Sequence, residues 1–378
     1  MGSEADEPTV YVFNTGDRTL SVIDAVADEV VTTTHIGTTA SFPANQYAPR
    51  LTDVPDDHLW LNVSNGVRAL TAGSLESAIS VETGSGANWL ALTPNGSSLV
   101  VSAREPAHTQ YRIDAARRSK TFGEVTATID RTEGYDGRRN GPGPCDVTFH
   151  PEGTYAFVPD LYGDTLTVLD VKAFEVATQV AVEPVVDGVE AARPWMGTAS
   201  WDGQYLAVEH SEGTNGTESI WDVSDPTAPE ELARLTAADG LGAMPLTSEI
   251  GPDDRTLFVF TPNSQDVTVI DLDTQSVVKR IALGGNAYVS TWNPERTKLY
   301  VPVQTRNEVA VIDADERKIT TRLEVGAKPY GATAGSVRPR SGMTDTTLAS
   351  LASLGFTVGK QEMTYCRGEC YCSADGGP

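Results

Sequence analysis

Apolar and polar positions alternate along most of this chain in short runs, broken by Gly, Asn, Asp and Pro. Alternation with a period of two predicts half-buried strands, and turn residues between the runs predict hairpins. Two stretches show the pattern at its clearest. One runs Gly251-Pro-Asp-Asp-Arg-Thr-Leu-Phe-Val-Phe260, then Val267-Thr-Val-Ile-Asp271, then Arg280-Ile-Ala-Leu-Gly284. The other runs Asn293-Pro-Glu-Arg-Thr-Lys-Leu-Tyr-Val-Pro302, then Val309-Ala-Val-Ile-Asp313, then Arg322-Leu-Glu-Val-Gly326. They align without a gap: Pro252 on Pro294, Leu257 on Leu299, Val269 on Val311, Asp271 on Asp313, Gly284 on Gly326. The constant offset of 42 residues is the mark of a repeat architecture.

The repeat persists toward the N-terminus. Pro151, Phe157, Val158, Leu166, Val168 and Asp170 form one more set, and Tyr11, Val12, Leu20, Val22, Asp24 and Gly37 another. A fourth run precedes each set of three, as in Asp146-Val-Thr-Phe-His-Pro-Glu-Gly153. Four short strands per unit of about 40 residues predict a propeller blade. The expected blades span 9–37, about 48–84, about 87–130, about 144–183 and about 193–236, followed by the two aligned stretches. Blade one lacks its first strand. Lys328-Pro-Tyr-Gly-Ala-Thr-Ala-Gly-Ser-Val337 is expected to supply it, closing the ring and removing its unpaired edges. The expected fold is therefore all-β, a seven-bladed propeller over residues 9–338 with an N-terminal lead (1–8) and a C-terminal helix and cysteine-containing tail (339–378).

The segments Leu-Tyr-Val-Pro, Val-Ala-Val-Ile-Asp and Lys318-Ile-Thr-Thr-Arg-Leu-Glu-Val-Gly326 resemble the YVTN-type β-propeller repeat. Ser219-Ile-Trp-Asp-Val-Ser-Asp-Pro-Thr-Ala-Pro229 is similar to a related repeat with the core Val-Asp-Val-Ser-Asp-Pro. The resemblance implies the fold. For function it implies a range: binding scaffolds and surface proteins, lactonases, and propeller subunits of amine dehydrogenases.

Charge narrows the partners. The 378 residues carry 52 acidic against 28 basic side chains, a net charge of −24, and only seven of the basic residues are lysine. Such an acidic, lysine-poor surface resembles the composition of halophilic proteins. It opposes binding to nucleic acid or anionic membranes, which needs positive charge. No apolar run approaches the roughly 20 residues of a membrane span. The first residues show neither a basic nor an apolar signal region, which points to the cytoplasm while leaving an extracytoplasmic location open.

Two places carry candidate chemistry. Cys366, Cys370 and Cys372 are close enough to converge on one soft ion, copper or zinc, with Cys145, a histidine or a second chain as a fourth ligand. The same cysteines could instead form a disulfide, with Cys366 bridged to Cys370 or Cys372 or one of the three to Cys145, or a covalent cross-link, and the tail could dock a partner. The other place is one face of the ring, where the starts of first strands and the loops after second strands meet. Trp89, Arg104, Glu105, His108, Asp160, Trp195, Glu209 and His210 are expected to line it, as a site for a small ligand or a protein partner. Arg104 could clamp a carboxylate or phosphate, and the carboxylates and imidazoles could hold a divalent metal or do acid–base work. If the lactonase resemblance extends to activity, Arg104, Glu105, His108, Asp160, Glu209 and His210 are the residues to carry it. With five histidines in all, the multi-histidine copper cluster of nitrous oxide reductase propellers is excluded. There is no haem-attachment motif, no Walker loop and no Gly-x-Ser-x-Gly elbow.

Overall fold

The computed structural model describes residues 7–37, 43, 58–83 and 86–339. They form six four-stranded antiparallel sheets and one three-stranded sheet, the seven blades expected from the repeat. Among the described residues, helix is confined to short 3-10 turns such as Arg138–Asn140 and Ala237–Asp239.

Blade one shows how the ring closes. Its strands Thr9–Asn14, Thr19–Asp24 and Glu29–His35 are joined on the inner side by Pro329–Gly335 from the far end of the ring. The register runs from Thr9 opposite Gly335 to Asn14 opposite Pro329. Two further backbone bonds, Thr15 N–H to Lys328 O and Glu7 N–H to Ser336 O, extend the closure at both ends. Blade two consists of His58–Val63, Gly66–Thr71 and Ser77–Glu82, with its inner position touched by Pro43, which bridges to Leu61. That contact lies before the expected start near residue 48.

Burial follows position in the blade. The second strands Thr9–Asn14, Tyr205–His210 and Thr256–Thr261 are buried at every residue, and the other four at every residue but the first, which is half-buried. Each is sandwiched between neighbouring blades, so both of its faces need cover. Outer strands such as Lys318–Glu324 alternate between exposed and half-buried, because only one face meets a neighbour. The core is a circle of inter-blade seams. Phe157, Leu166 and Val168 of blade four meet Leu206, Val208 and Trp221 of blade five. Tyr205, Ala207 and Ile220 of blade five meet Ile250, Leu257 and Val259 of blade six.

Six of the seven third strands end in an Asp that forms the turn; in blade two Thr71 stands there instead. Asp24 Oδ1 accepts the backbone N–H of Val26 and Ala27, and Asp170 Oδ1 does the same for Lys172 and Ala173. Asp271 accepts from Thr274 N and Asp313 from Glu316 N. A residue with left-handed φ completes each turn: Asp28, Phe174, Gln275 and Arg317. The side chain substitutes for a backbone acceptor and starts the hairpin to the outer strand. The periodic Asp thus belongs to the fold rather than to chemistry.

Candidate ligand site at the mouth between blades three and four

The second strand of blade three, Ser98–Ala103, delivers Arg104 to one end of the ring. A tight turn follows, closed by His108 N–H to Arg104 O (2.6 Å), with His108 at φ 46. The long connection from blade three to blade four then returns over this turn as Gly141-Pro-Gly-Pro-Cys145. It is zipped to the second-to-third strand turn of blade four. Pro142 O accepts from Tyr162 N and Gly163 N, Gly143 O from Leu161 N, and Cys145 N–H bonds to Pro159 O.

Two glycines make this fit possible. A Cβ on Gly141 would meet the His108 ring at 2.3 Å, and one on Gly143 would meet the Tyr162 ring at 2.6 Å. Gly143 also has φ +72, which a side chain rarely adopts. The approach lets Gly143 N–H donate to His108 Nδ1 at 3.2 Å. The proton of the neutral ring is then on Nε2. Burial, opposed by the Glu105 charge, holds the His108 pKa below its ordinary value, so the ring is neutral near pH 7.

Tyr162 is the centre of the arrangement. Arg104 Cζ lies 5.9 Å from its ring centroid and Arg139 Cζ 4.9 Å, both within cation–π range. The His108 ring meets it edge-on at 6.4 Å. Arg104 is nearly buried; its Nε bonds Glu105 Oε2 at 2.6 Å, and its Nη1 lies 3.8 Å from Cys145 Sγ. Arg139 is exposed, whereas its neighbour Arg138 pairs with Asp164. On a chain of net charge −24, this is a local concentration of guanidinium groups around one aromatic ring.

The structure brings together Arg104, Glu105, His108 and Cys145, and disperses the others. Asp160 is fully buried in the seam between blades three and four. Its Oδ2 accepts from Arg131 Nη2 (2.9 Å), Thr165 Oγ1 (2.9 Å) and Thr167 Oγ1 (2.6 Å). Glu209 and His210 are adjacent in one strand and therefore point to opposite faces of blade five. His210 is on the side of Leu206 and Val208, facing blade four. Its Nε2 is 2.7 Å from Ser219 Oγ, and burial holds its pKa well below the ordinary range. Glu209 is on the side of Tyr205 and Ala207, facing blade six. Trp195 is buried, its Nε1–H donating to Pro245 O.

Trp89 lines the central channel with Val147, Met196, Thr247, Glu249 and Val289, around a cavity of about 100 Å³. Cys145 is fully buried beside Asn88, whose Nδ2 lies 3.1 Å from the sulfur. Burial pushes its thiol up to about 11, which keeps it protonated near pH 7. Cys366, Cys370 and Cys372, and the helix expected before them, lie outside the described residues. Among the described residues no group of three or more His, Cys, Asp or Glu side chains forms a metal-binding cluster. No described helix is long and apolar enough to cross a membrane.

Neither Arg139 nor Tyr162 was among the residues expected at the mouth. A signal was present in the adjacent basic pair Arg138-Arg139 within a long, glycine-rich inter-blade connection of an acidic chain.

No protein-family model and no curated protein matches the chain. Solved structures do resemble it. A periplasmic gluconolactonase of Pseudomonas aeruginosa superposes with a TM-score of 0.66 at 16% identity, covering 87% of this chain and 99% of that one. A protein from Lactobacillus plantarum gives 0.67 at 14% identity, covering 86% and 99%. Kuenenia stuttgartiensis hydrazine synthase gives 0.62 at 15%, covering 83% and 97%. At these identities the likeness establishes the propeller fold alone.

Proposed function

We propose that this chain is a ligand-binding propeller whose mouth, between blades three and four, recognises a small anion such as a sugar acid or other planar carboxylate. The observation that carries the reading is the convergence of Arg104 and Arg139 on the Tyr162 ring. Guanidinium groups bind carboxylates through paired N–H donors, and the ring supplies an apolar floor. His108 and the two glycines hold that floor in place. Calorimetric titration of gluconate and related carboxylates tests the reading. Arg104→Gln and Arg139→Gln are each expected to weaken binding by about 10- to 100-fold, the loss of one charged hydrogen-bonding group. Unchanged affinity in both variants, or no affinity for any small carboxylate, would overturn it.

A second reading is lactone hydrolysis at the same mouth, favoured by the gluconolactonase neighbour and by the neutral His108. It is the weaker one, because Glu209 and His210 are turned into the seams of blade five, and Asp160, although its charge acts on His108, is engaged by Arg131, Thr165 and Thr167. Turnover of gluconolactone lost in His108→Gln would support it. For the tail, the proposal remains a soft ion, copper or zinc, on Cys366, Cys370 and Cys372, or docking of a partner. Metal content with a free-thiol count decides between the metal and an oxidised pair.

A further inference from the structure

Glu209 and Glu218 face each other directly across the second and third strands of blade five. Both are fully buried against blade six. None of their four carboxylate oxygens has a hydrogen-bond partner, and neither does Ser248 Oγ, on the inner strand of blade six beside Glu209. The Ser248 hydroxyl is close enough to favour the ionised form of Glu209 without forming a bond of ordinary geometry.

The same hairpin shows what a purely structural buried carboxylate looks like. Glu212, equally inaccessible, accepts from Val185 N and Val186 N on one oxygen and from Thr217 Oγ1 and Arg234 Nη1 on the other. Two opposed carboxylates without donors are costly in a dry seam, since like charges directly opposite repel and buried charges need compensation. Five orphaned oxygens from three strands are the donor set of a hard cation.

We infer that Glu209, Glu218 and Ser248 form a binding site for a divalent oxygen-seeking cation, calcium, in the seam between blades five and six. Two carboxylates match a double positive charge. All donors are oxygen, which disfavours zinc or copper, and His210 points away on the other face of its strand. Strand pairing fixes the two carboxylates about 5 Å apart at Cβ, an arrangement that suits the flexible coordination of calcium better than the strict octahedron of magnesium. The nearby charges are Asp146 from blade four and Arg234 from the outer strand of blade five. Arg234 is already engaged by Glu212 and Glu231. The site is independent of the mouth described above and would act as a clasp between two blades.

The test uses the full chain, stripped with a chelator, near pH 8 at fixed ionic strength in potassium chloride. Calcium chloride alone is titrated by calorimetry, and thermal unfolding is followed in parallel. One equivalent is expected to bind and raise Tm, with magnesium at least about 10-fold weaker. Binding should fall by about 10-fold or more on going to pH 6, where protons compete for the carboxylates. Glu209→Gln with Glu218→Gln should abolish it, and Ser248→Ala should weaken it. The glutamine pair removes two buried charges and is expected to fold, so its loss of binding is readable. No calcium response, an equal response to magnesium, or a response that survives in the glutamine pair overturns the proposal. If calcium is silent and the glutamine pair merely flattens the dependence of stability on pH, the two carboxyls share protons and no cation site exists.

Discussion

Replacing Asp160 by asparagine keeps the side-chain volume and removes the charge that neutralises Arg131. Both groups are almost wholly inaccessible, with side-chain exposures of 0% and 4%. The carboxylate also accepts from Thr165 and Thr167, and Arg131 donates in addition to Gln110 Oε1 and Thr167 Oγ1. Breaking one side of a buried pair leaves the other charge desolvated, at a cost of about 3–5 kcal/mol. Domains of 150–250 residues lose roughly 2–4 °C of Tm per kcal/mol, and longer ones less, so a fall of about 5–10 °C is expected here. Removing both charges, Arg131→Met with Asp160→Leu, should restore at least half of the loss, because apolar pairs can replace buried ion pairs. The assay is urea and thermal unfolding at two salt concentrations. The loss should be nearly the same in both, since a buried pair is weakly screened. Ligand affinity at the mouth should be unchanged in folded Asp160→Asn. A loss below about 1 kcal/mol, or one that vanishes in high salt, would show that the pair is solvated and that the seam is not a structural ion pair.

Three other outcomes follow from the same geometry. Burial raises Glu209 to about 8 and Asp146 to about 7, while in the unfolded chain both ionise near their ordinary values of 4.5 and 3.8. The folded state therefore holds more protons between about pH 4 and 8, and stability without calcium should fall as pH rises through that window, by several kcal/mol in all. A flat profile from pH 5 to 8 in chelator would refute this. Gly143→Ala should cost on the order of 1–3 kcal/mol, through left-handed strain and a clash with the Tyr162 ring, and should weaken carboxylate binding at the mouth. Wild-type Tm in that variant would remove the support for a glycine-dependent floor. Arg139→Gln, at an exposed position, should leave stability within about 0.5 kcal/mol of wild type while lowering affinity, which separates its role from packing.

The fold was legible because blade seams impose the same demand seven times. The second strand must be apolar on both faces, the third must end in an acceptor for the turn, and the outer strand must alternate. Tyr300, Val311, Asp313 and Leu323 meet those demands in blade seven, and Tyr11, Val22 and Asp24 meet most of them in blade one. Closure by the segment after Gly326 was readable for the same reason: blade one was short by one strand, and its second strand, Thr9–Asn14, is buried on both sides. The start of blade two was not readable. Among the described residues Pro43 is the one that pairs with Leu61 there, and proline gives no alternation to follow.

The candidate site was half legible, and strand parity explains which half. Loop residues at the end of a second strand do reach the mouth, so Arg104, Glu105 and His108 gather there with the segment that carries Cys145. Residues still inside a strand do not choose their surroundings by proximity in sequence. His210 follows Glu209, and in a strand that adjacency is what parts them, one into the seam with blade four and the other into the seam with blade six. The partner that matters for Glu209 lies nine positions on, at Glu218, where the hairpin brings a second carboxylate to the same face. A reading that listed acidic and imidazole side chains by loop could not see that pair. Parity counted outward from the Gly213–Gly216 turn does reveal it, and moves Glu209 from the mouth to the seam, where its carboxyl and that of Glu218 have no hydrogen-bond partner.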